Sequence, residues 1–314
     1  MRSVTAWAAA LFLVPAICFT AAADVPRNID EDGPSLGVQT LDLVEMWRVG
    51  GEDESVILGR ITDVLGHPNG NIYVLDYQLC QVVAISPDGE HLADLSRQGD
   101  GPGELRQPMA LALLTDEVLG VGMGFPGKIV TMKLDGTPIS SLYPIGEPAE
   151  GNIGIMMSSK FFDGFLVSSG GRIVFEDQDN SHTERFLSVA GGELDEFQRI
   201  LETRTPLDPT GRTFVEEDND YIDLRWTLGP GGTIYAPMRR DAYEVSEYDR
   251  TGKLLQVFGR KYEPRKRSQD EKDDVSPLIN VNGQPDGRDW DISDHDECIV
   301  RLQYNHDDET VWVL

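Results

Sequence analysis

Positive charge is scarce in this chain. Its 314 residues carry 27 Lys and Arg against 54 Asp and Glu, a formal net charge of −27. That balance excludes a nucleic-acid binder, which needs clustered Lys and Arg for phosphate contact. It also excludes adsorption to anionic lipid. What it describes is a solvated, self-repelling surface, consistent with a monomer. Cysteine is limited to Cys18, Cys80 and Cys298, with no metal-ligand spacing. The five histidines, His67, His91, His182, His295 and His306, include no pair at zinc-helix spacing. No Gly-x-Ser-x-Gly string is present. Amphipathic helical periodicity is nearly missing; only 193–202 reads as a short helix, and a linker before a strand accounts for it as well. Hydrophobic residues still make up 40% of the chain, enough to bury a core.

One long apolar run exists, over 4–19, behind Arg2 and ahead of Ala21-Ala22-Ala23. A basic start, a short apolar stretch and an Ala-x-Ala site mark a secretory signal peptide over 1–23, with cleavage after Ala23. The run is short for a membrane span, which needs ~20 residues, although a retained anchor is the alternative. Ile17 before Cys18 disfavours a lipoprotein. The expected destination is periplasmic or secreted. Cleavage removes Arg2 and Cys18, so the mature chain has 291 residues and a net charge of −28. In an oxidising compartment Cys80 and Cys298 either pair or remain two separate thiols. A flexible N-terminal segment is expected over 24–40, and one domain over 41–314.

That domain repeats itself. His67-Pro68-Asn69-Gly70-Asn71-Ile72-Tyr73-Val74 returns as Gly229-Pro230-Gly231-Gly232-Thr233-Ile234-Tyr235-Ala236, with weaker copies at 115–119, 162–167 and 307–313. The anchors 70, 117, 164, 232 and 309 lie 47, 47, 68 and 77 residues apart. A second phrase follows the first, a strand ending in a tight turn: Ser86-Pro87-Asp88-Gly89, Leu134-Asp135-Gly136 and Arg250-Thr251-Gly252. Each unit thus reads as four short antiparallel strands in about 47 residues. This is an all-β pattern, and its period is that of a β-propeller blade. The two long spacings predict insertions within 177–220 and 260–296 on one face of the ring. The second opens with basic Arg265-Lys266-Arg267 and turns acidic at 270–274.

The stretch 63–105 resembles the NHL-repeat-like six-bladed β-propeller proteins exported by bacteria. The residues that carry the resemblance are Pro68-Asn69-Gly70-Asn71-Ile72-Tyr73-Val74-Leu75-Asp76, Ser86-Pro87-Asp88-Gly89-Glu90 and the linker Gly99-Asp100-Gly101-Pro102-Gly103-Glu104-Leu105. The likeness is good over 60–136, fair over 222–258 and weak elsewhere. It implies a fold more than an activity. Five anchors are visible where six blades would need six. Either the chain lacks the end of its fifth blade and a sixth, or it is a five-bladed ring closed by outer strands from 41–57.

Chemical signals are weak. The linker 99–103 is Gly-rich but lacks the Lys-Ser/Thr ending of a phosphate loop, so it is structural. Acidic clusters at 177–180, 216–220 and 291–297 have oxygen ligands of the kind calcium takes, but no calcium-loop spacing; no cofactor is expected, with calcium as the alternative. Aligned inner strands place Asp63, Ala110, Met157, Arg225 and Leu302 at equivalent positions, with Thr62 and Arg301 one step away. Asp63, Arg225 and Arg301 at the channel mouth are the candidate ligand-binding residues, suited to an anionic or polar group. The expected function is an exported binding module for a protein, peptide or glycan. The alternative is an enzyme, because propellers of this appearance include metal-dependent lactonases and lyases. Those require converging Glu, Asp, Asn or His, of which only Asp63 has a claim.

Overall fold

The computed structural model describes residues 25–30, 42, 44–50, 56–147, 152–175, 181–207, 213–279 and 289–314. The expected signal peptide, 1–23, lies outside them. Among the described residues no helix is long and apolar enough to cross a membrane.

The first strand, β1 (Arg27–Asp30), falls inside the segment expected to be flexible. Three meanders follow. The first comprises β2 (Ile61–Gly66), β3 (Ile72–Asp76), β4 (Gln81–Ile85) and β5 (His91–Asp94). The second comprises β6 (Pro108–Thr115), β7 (Val118–Met123), β8 (Lys128–Lys133) and β9 (Pro138–Leu142). The third comprises β10 (Asn152–Phe162), β11 (Phe165–Val174), β12 (His182–Gly191) and β13 (Gln198–Pro206). Each is a four-stranded antiparallel sheet in sequence order. After β14 (Thr213–Val215) comes a fourth meander, β15 (Thr227–Leu228), β16 (Ile234–Ala236), β17 (Glu244–Tyr248) and β18 (Leu254–Arg260). Strand β1 adds to its outer edge, parallel to β18. The remaining elements are α1 (Gln269–Ile279), β19 (Asp289–Asp291), β20 (Leu302–Asn305) and β21 (Thr310–Val313).

Sheets in this series pack face to face with the next. Tyr73, Leu75 and Val82 of the first meet Leu111, Leu119 and Val121 of the second in one buried cluster. Further clusters join the second sheet to the third, the third to the fourth and the fourth to β20–β21. Sandwiching explains why β3 and β4 are buried at four of five positions: a central strand covered on both faces reads as an apolar run, not an alternation. The first strand of every meander lines one cavity, so the sheets are arranged radially. The fold is a β-propeller.

Residues 193–202 form a turn and the start of β13, which is the linker before a strand and not the helix. Three other sequence expectations need correction. The first excess is spent partly on strands of 9–11 residues in the third sheet rather than on a loop alone. Segment 24–40 includes the paired strand β1, because β18 offers an unpaired edge that Arg27–Asp30 satisfies. The described part of 41–57 holds no strand. Its Trp47, Val49 and Val56 instead cover Val74, Val83 and Ile85 on the free face of the first sheet.

The linker 97–105 shows why its residues have their types. Glu104 folds back over the loop, accepting from Gly101 N at 2.9 Å and from Arg97 Nε at 2.8 Å. A Cβ on Gly99 would lie 2.0 Å from the Glu104 carboxylate, so a side chain there would push Glu104 out of its fold over the loop.

Candidate functional site

The inner strands surround a cavity of about 470 Å³. Strands β2, β6 and β10 each carry a register irregularity, near the start at Thr62 and Met109 and midway along at Met157. A bulge bends its strand and re-aims the next side chain. On β2 that side chain is Asp63. Its Oδ1 accepts from Val64 N at 2.9 Å and its Oδ2 from Leu111 N at 2.8 Å, on the neighbouring inner strand. Inner strands have no partner on the channel side, so their exposed N–H groups need such acceptors. Thr227 Oγ1 does the same for Tyr304 N at 3.0 Å.

Two cations share the cavity with Asp63. Arg301 is exposed at its wall. Lys160, on β10, lies with Nζ 5.8 Å from the centre of the Trp226 ring, a cation–π arrangement. Burial lowers the Lys160 pKa; the charge of Asp63 opposes that shift and Arg301 adds to it. Burial raises the Asp63 pKa against the pull of its two backbone hydrogen bonds, Lys160 and Arg301. The three groups therefore form one electrostatic unit with a single net positive charge when all are ionised. His306 also lines the cavity and stacks on Phe162, with ring centres 3.8 Å apart.

Of the three sequence candidates, Asp63 and Arg301 come together in the channel and Arg225 does not. Arg225 is 5% exposed and turned into the protein, with Nη2 2.5 Å from Asp220 Oδ1 and 3.0 Å from Tyr221 O. The shortness of β15, two residues, leaves Arg225 before the strand rather than on it. Lys160 was missed because only the first positions of each inner strand were aligned. A lone charge within the apolar and small residues of β10 was the available signal.

The acidic clusters of the two insertions meet basic residues. Glu216 accepts from Arg240 Nη2 at 2.7 Å, Arg267 Nη1 at 2.8 Å and Ser293 N at 2.9 Å. Arg267 Nε reaches Asp296 at 2.7 Å, and Arg240 Nη1 reaches Glu297 at 3.2 Å. Strands β14 and β19 pair in parallel beside this network. Cluster 177–180 lies outside the described residues. Cys80 and Cys298 are free thiols, the first buried. Among the described residues no three His, Cys, Asp or Glu side chains are grouped as metal ligands.

No protein-family model and no curated protein matches the chain. Solved structures similar to it include a protein from Bacteroides fragilis described as exported, at 11% identity and a TM-score of 0.43, covering 93% of this chain and 80% of that one. Another is the β-propeller domain of Cps50 (Swd1) from Myceliophteria thermophila, at 12% identity and a TM-score of 0.38, with 67% and 59% covered. A third is virginiamycin B lyase from Staphylococcus aureus, crystallised with quinupristin, at 14% identity and a TM-score of 0.35, with 62% and 54% covered.

Proposed function

We propose that the protein is an exported, NHL-like β-propeller binding module that takes a carboxylate-bearing peptide or glycan at its central channel. The observation that carries this reading is the placement of Lys160 and Arg301 with Asp63 at the convergence of the inner strands. A net positive cavity is an outlier in a chain of charge −27. Arg301 supplies a planar fork for a carboxylate, and Lys160 a partly desolvated point charge. Asp63 is engaged by backbone N–H groups and holds the wall, so its charge is already spent. The leader over 1–23 supports export.

The test is calorimetric titration of the mature chain with a carboxylate-bearing peptide and glycan panel, each beside its amidated or reduced neutral form. Acidic ligands are expected to bind at least tenfold more tightly than neutral ones. Arg301→Ala and Lys160→Met are each expected to weaken that binding at least tenfold. Affinity should fall as the pH rises through the Lys160 pKa, which lies below the ordinary 10.5 because burial disfavours the ammonium. Equal affinity for charged and neutral forms would sink this reading.

A further inference from the structure

A second cavity, of about 580 Å³, opens between the first and second sheets at the end where β2 and β6 begin. Its walls are the residues just before those strands, the β3–β4 turn and the β7–β8 turn. The size suits a small ligand, for which clefts of roughly 300–1,000 Å³ are usual.

The walls are pre-set by one buried carboxylate. Asp76, 0% exposed, accepts from Gly59 N at 2.5 Å, Arg60 N at 3.2 Å, Gln78 N at 2.9 Å and Leu79 N at 3.0 Å. It thereby ties the strand entering β2 to the β3–β4 turn and fixes the bases of Arg60 and Gln78. The Arg60 guanidinium lies 5.4 Å from the centre of the Tyr77 ring. Two cavity residues, Cys80 and Gln107, hold φ of +52° and +48°. Such backbone is costly for non-glycine residues and collects at ligand clamps.

The chemistry of the lining is selective. Gln78, Gln98 and Gln107 present side-chain amides that have no hydrogen-bond partner among the described residues. An amide both donates and accepts, as does a sugar hydroxyl. A phosphate offers mainly acceptors, so it would leave most of the amide oxygens without donors. Phe125 offers a ring, 53% exposed, for the apolar face of a pyranose. Arg60 and Arg106 provide cations, and among the described residues no Asp or Glu lines the cavity. Arg106 is held by Asp100 through Nη2 at 2.6 Å, which leaves Arg60 as the guanidinium for an incoming carboxylate.

We propose that this inter-blade cavity binds an acidic oligosaccharide, one built of hexuronate units, with Arg60 on the carboxylate, the glutamine amides on hydroxyls and Phe125 under a ring. The site is separate from the channel and does not depend on the reading given for it.

The test is titration calorimetry of the mature chain carrying Arg301→Ala and Lys160→Met, which removes the channel cations, with tetragalacturonate, tetraglucuronate, tetragalacturonate reduced to its neutral form, tetraglutamate and inorganic phosphate. Saturable binding of at least one tetrauronate is expected, at least tenfold tighter than the neutral form, tetraglutamate and phosphate. Adding Arg60→Ala or Phe125→Ala should each weaken it at least tenfold. Adding Gln98→Ala, at an exposed amide bonded to nothing among the described residues, should weaken it severalfold with an unchanged melting temperature. Failure of both tetrauronates to bind, equal binding of the neutral form or tetraglutamate, or binding unchanged by Arg60→Ala would each overturn the proposal.

Discussion

Two buried carboxylates show what a single residue can be asked to hold. Asp76 satisfies four backbone N–H groups across two segments. Asp76→Asn replaces an acceptor oxygen with an NH2 that faces those donors. A buried donor left unsatisfied costs about 1–3 kcal/mol, and thermal melts should show a loss of that size. Glu184 is 4% exposed and sits in a cross-strand row with Arg172 and Arg204. Burial acts to raise its pKa, but hydrogen bonds from Arg172, His182 and Arg204 bring it down to about 2. A depressed carboxylate stabilises the fold above its unfolded pKa, and that stability is lost as the pH falls. Stability should therefore decline from about pH 4.5 towards pH 2. Glu184→Gln should flatten that part of a stability–pH curve, which spans on the order of 3 kcal/mol for a shift of this size.

Among the elements, α1 is one that the sequence reading overlooked although its start signal was present. Ser268 and Glu271 form a capping box: Ser268 N donates to Glu271 Oε2 at 2.8 Å, and Glu271 N donates to Ser268 Oγ at 3.3 Å. The signal was hidden because 269–279 has little apolar periodicity, so a search for amphipathic pattern passes over it. Ser268→Ala is expected to cost about 1 kcal/mol in chemical denaturation, with a loss of helical circular dichroism. The strands were far more legible. Ile72-Tyr73-Val74-Leu75 and Val82-Val83-Ala84-Ile85 are β-branched or apolar runs between Gly- and Asp-bearing turns, and they became β3 and β4. Strand β1 was not legible, since Arg-Asn-Ile-Asp has no strand pattern and forms only where β18 offers an edge.

For the whole molecule, the ion-pair network joining 216–220 to 265–267 and 293–297 is the largest feature that spacing did not reveal. Glu216, Arg240 and Arg267 are nearly buried. Removing one partner of such a pair strands the other charge, which costs about 3–5 kcal/mol, whereas replacing both is far milder. Glu216 and Arg267 each keep a further partner, Arg240 and Asp296, so the double variant Arg267→Met, Glu216→Gln should destabilise by less than the sum of its two single variants. Denaturant unfolding of the parent, both singles and the double measures the coupling.

The order of strands, their four-strand grouping and the radial all-β fold were determined by the sequence alone. Turn residues and apolar runs act over a few positions, and a repeat of about 47 residues states them several times. Asp63 was legible for the same reason, as it holds a fixed place before an anchor. The tertiary structure alone decided that Lys160 would join Asp63 and Arg301, that Arg225 would turn towards Asp220, and that Arg267 of the second insertion would bind Glu216 of the first. These depend on which faces of non-adjacent strands meet when the sheets close round an axis. The energy of such a meeting belongs to pairs of residues far apart in the chain, and no local pattern records it.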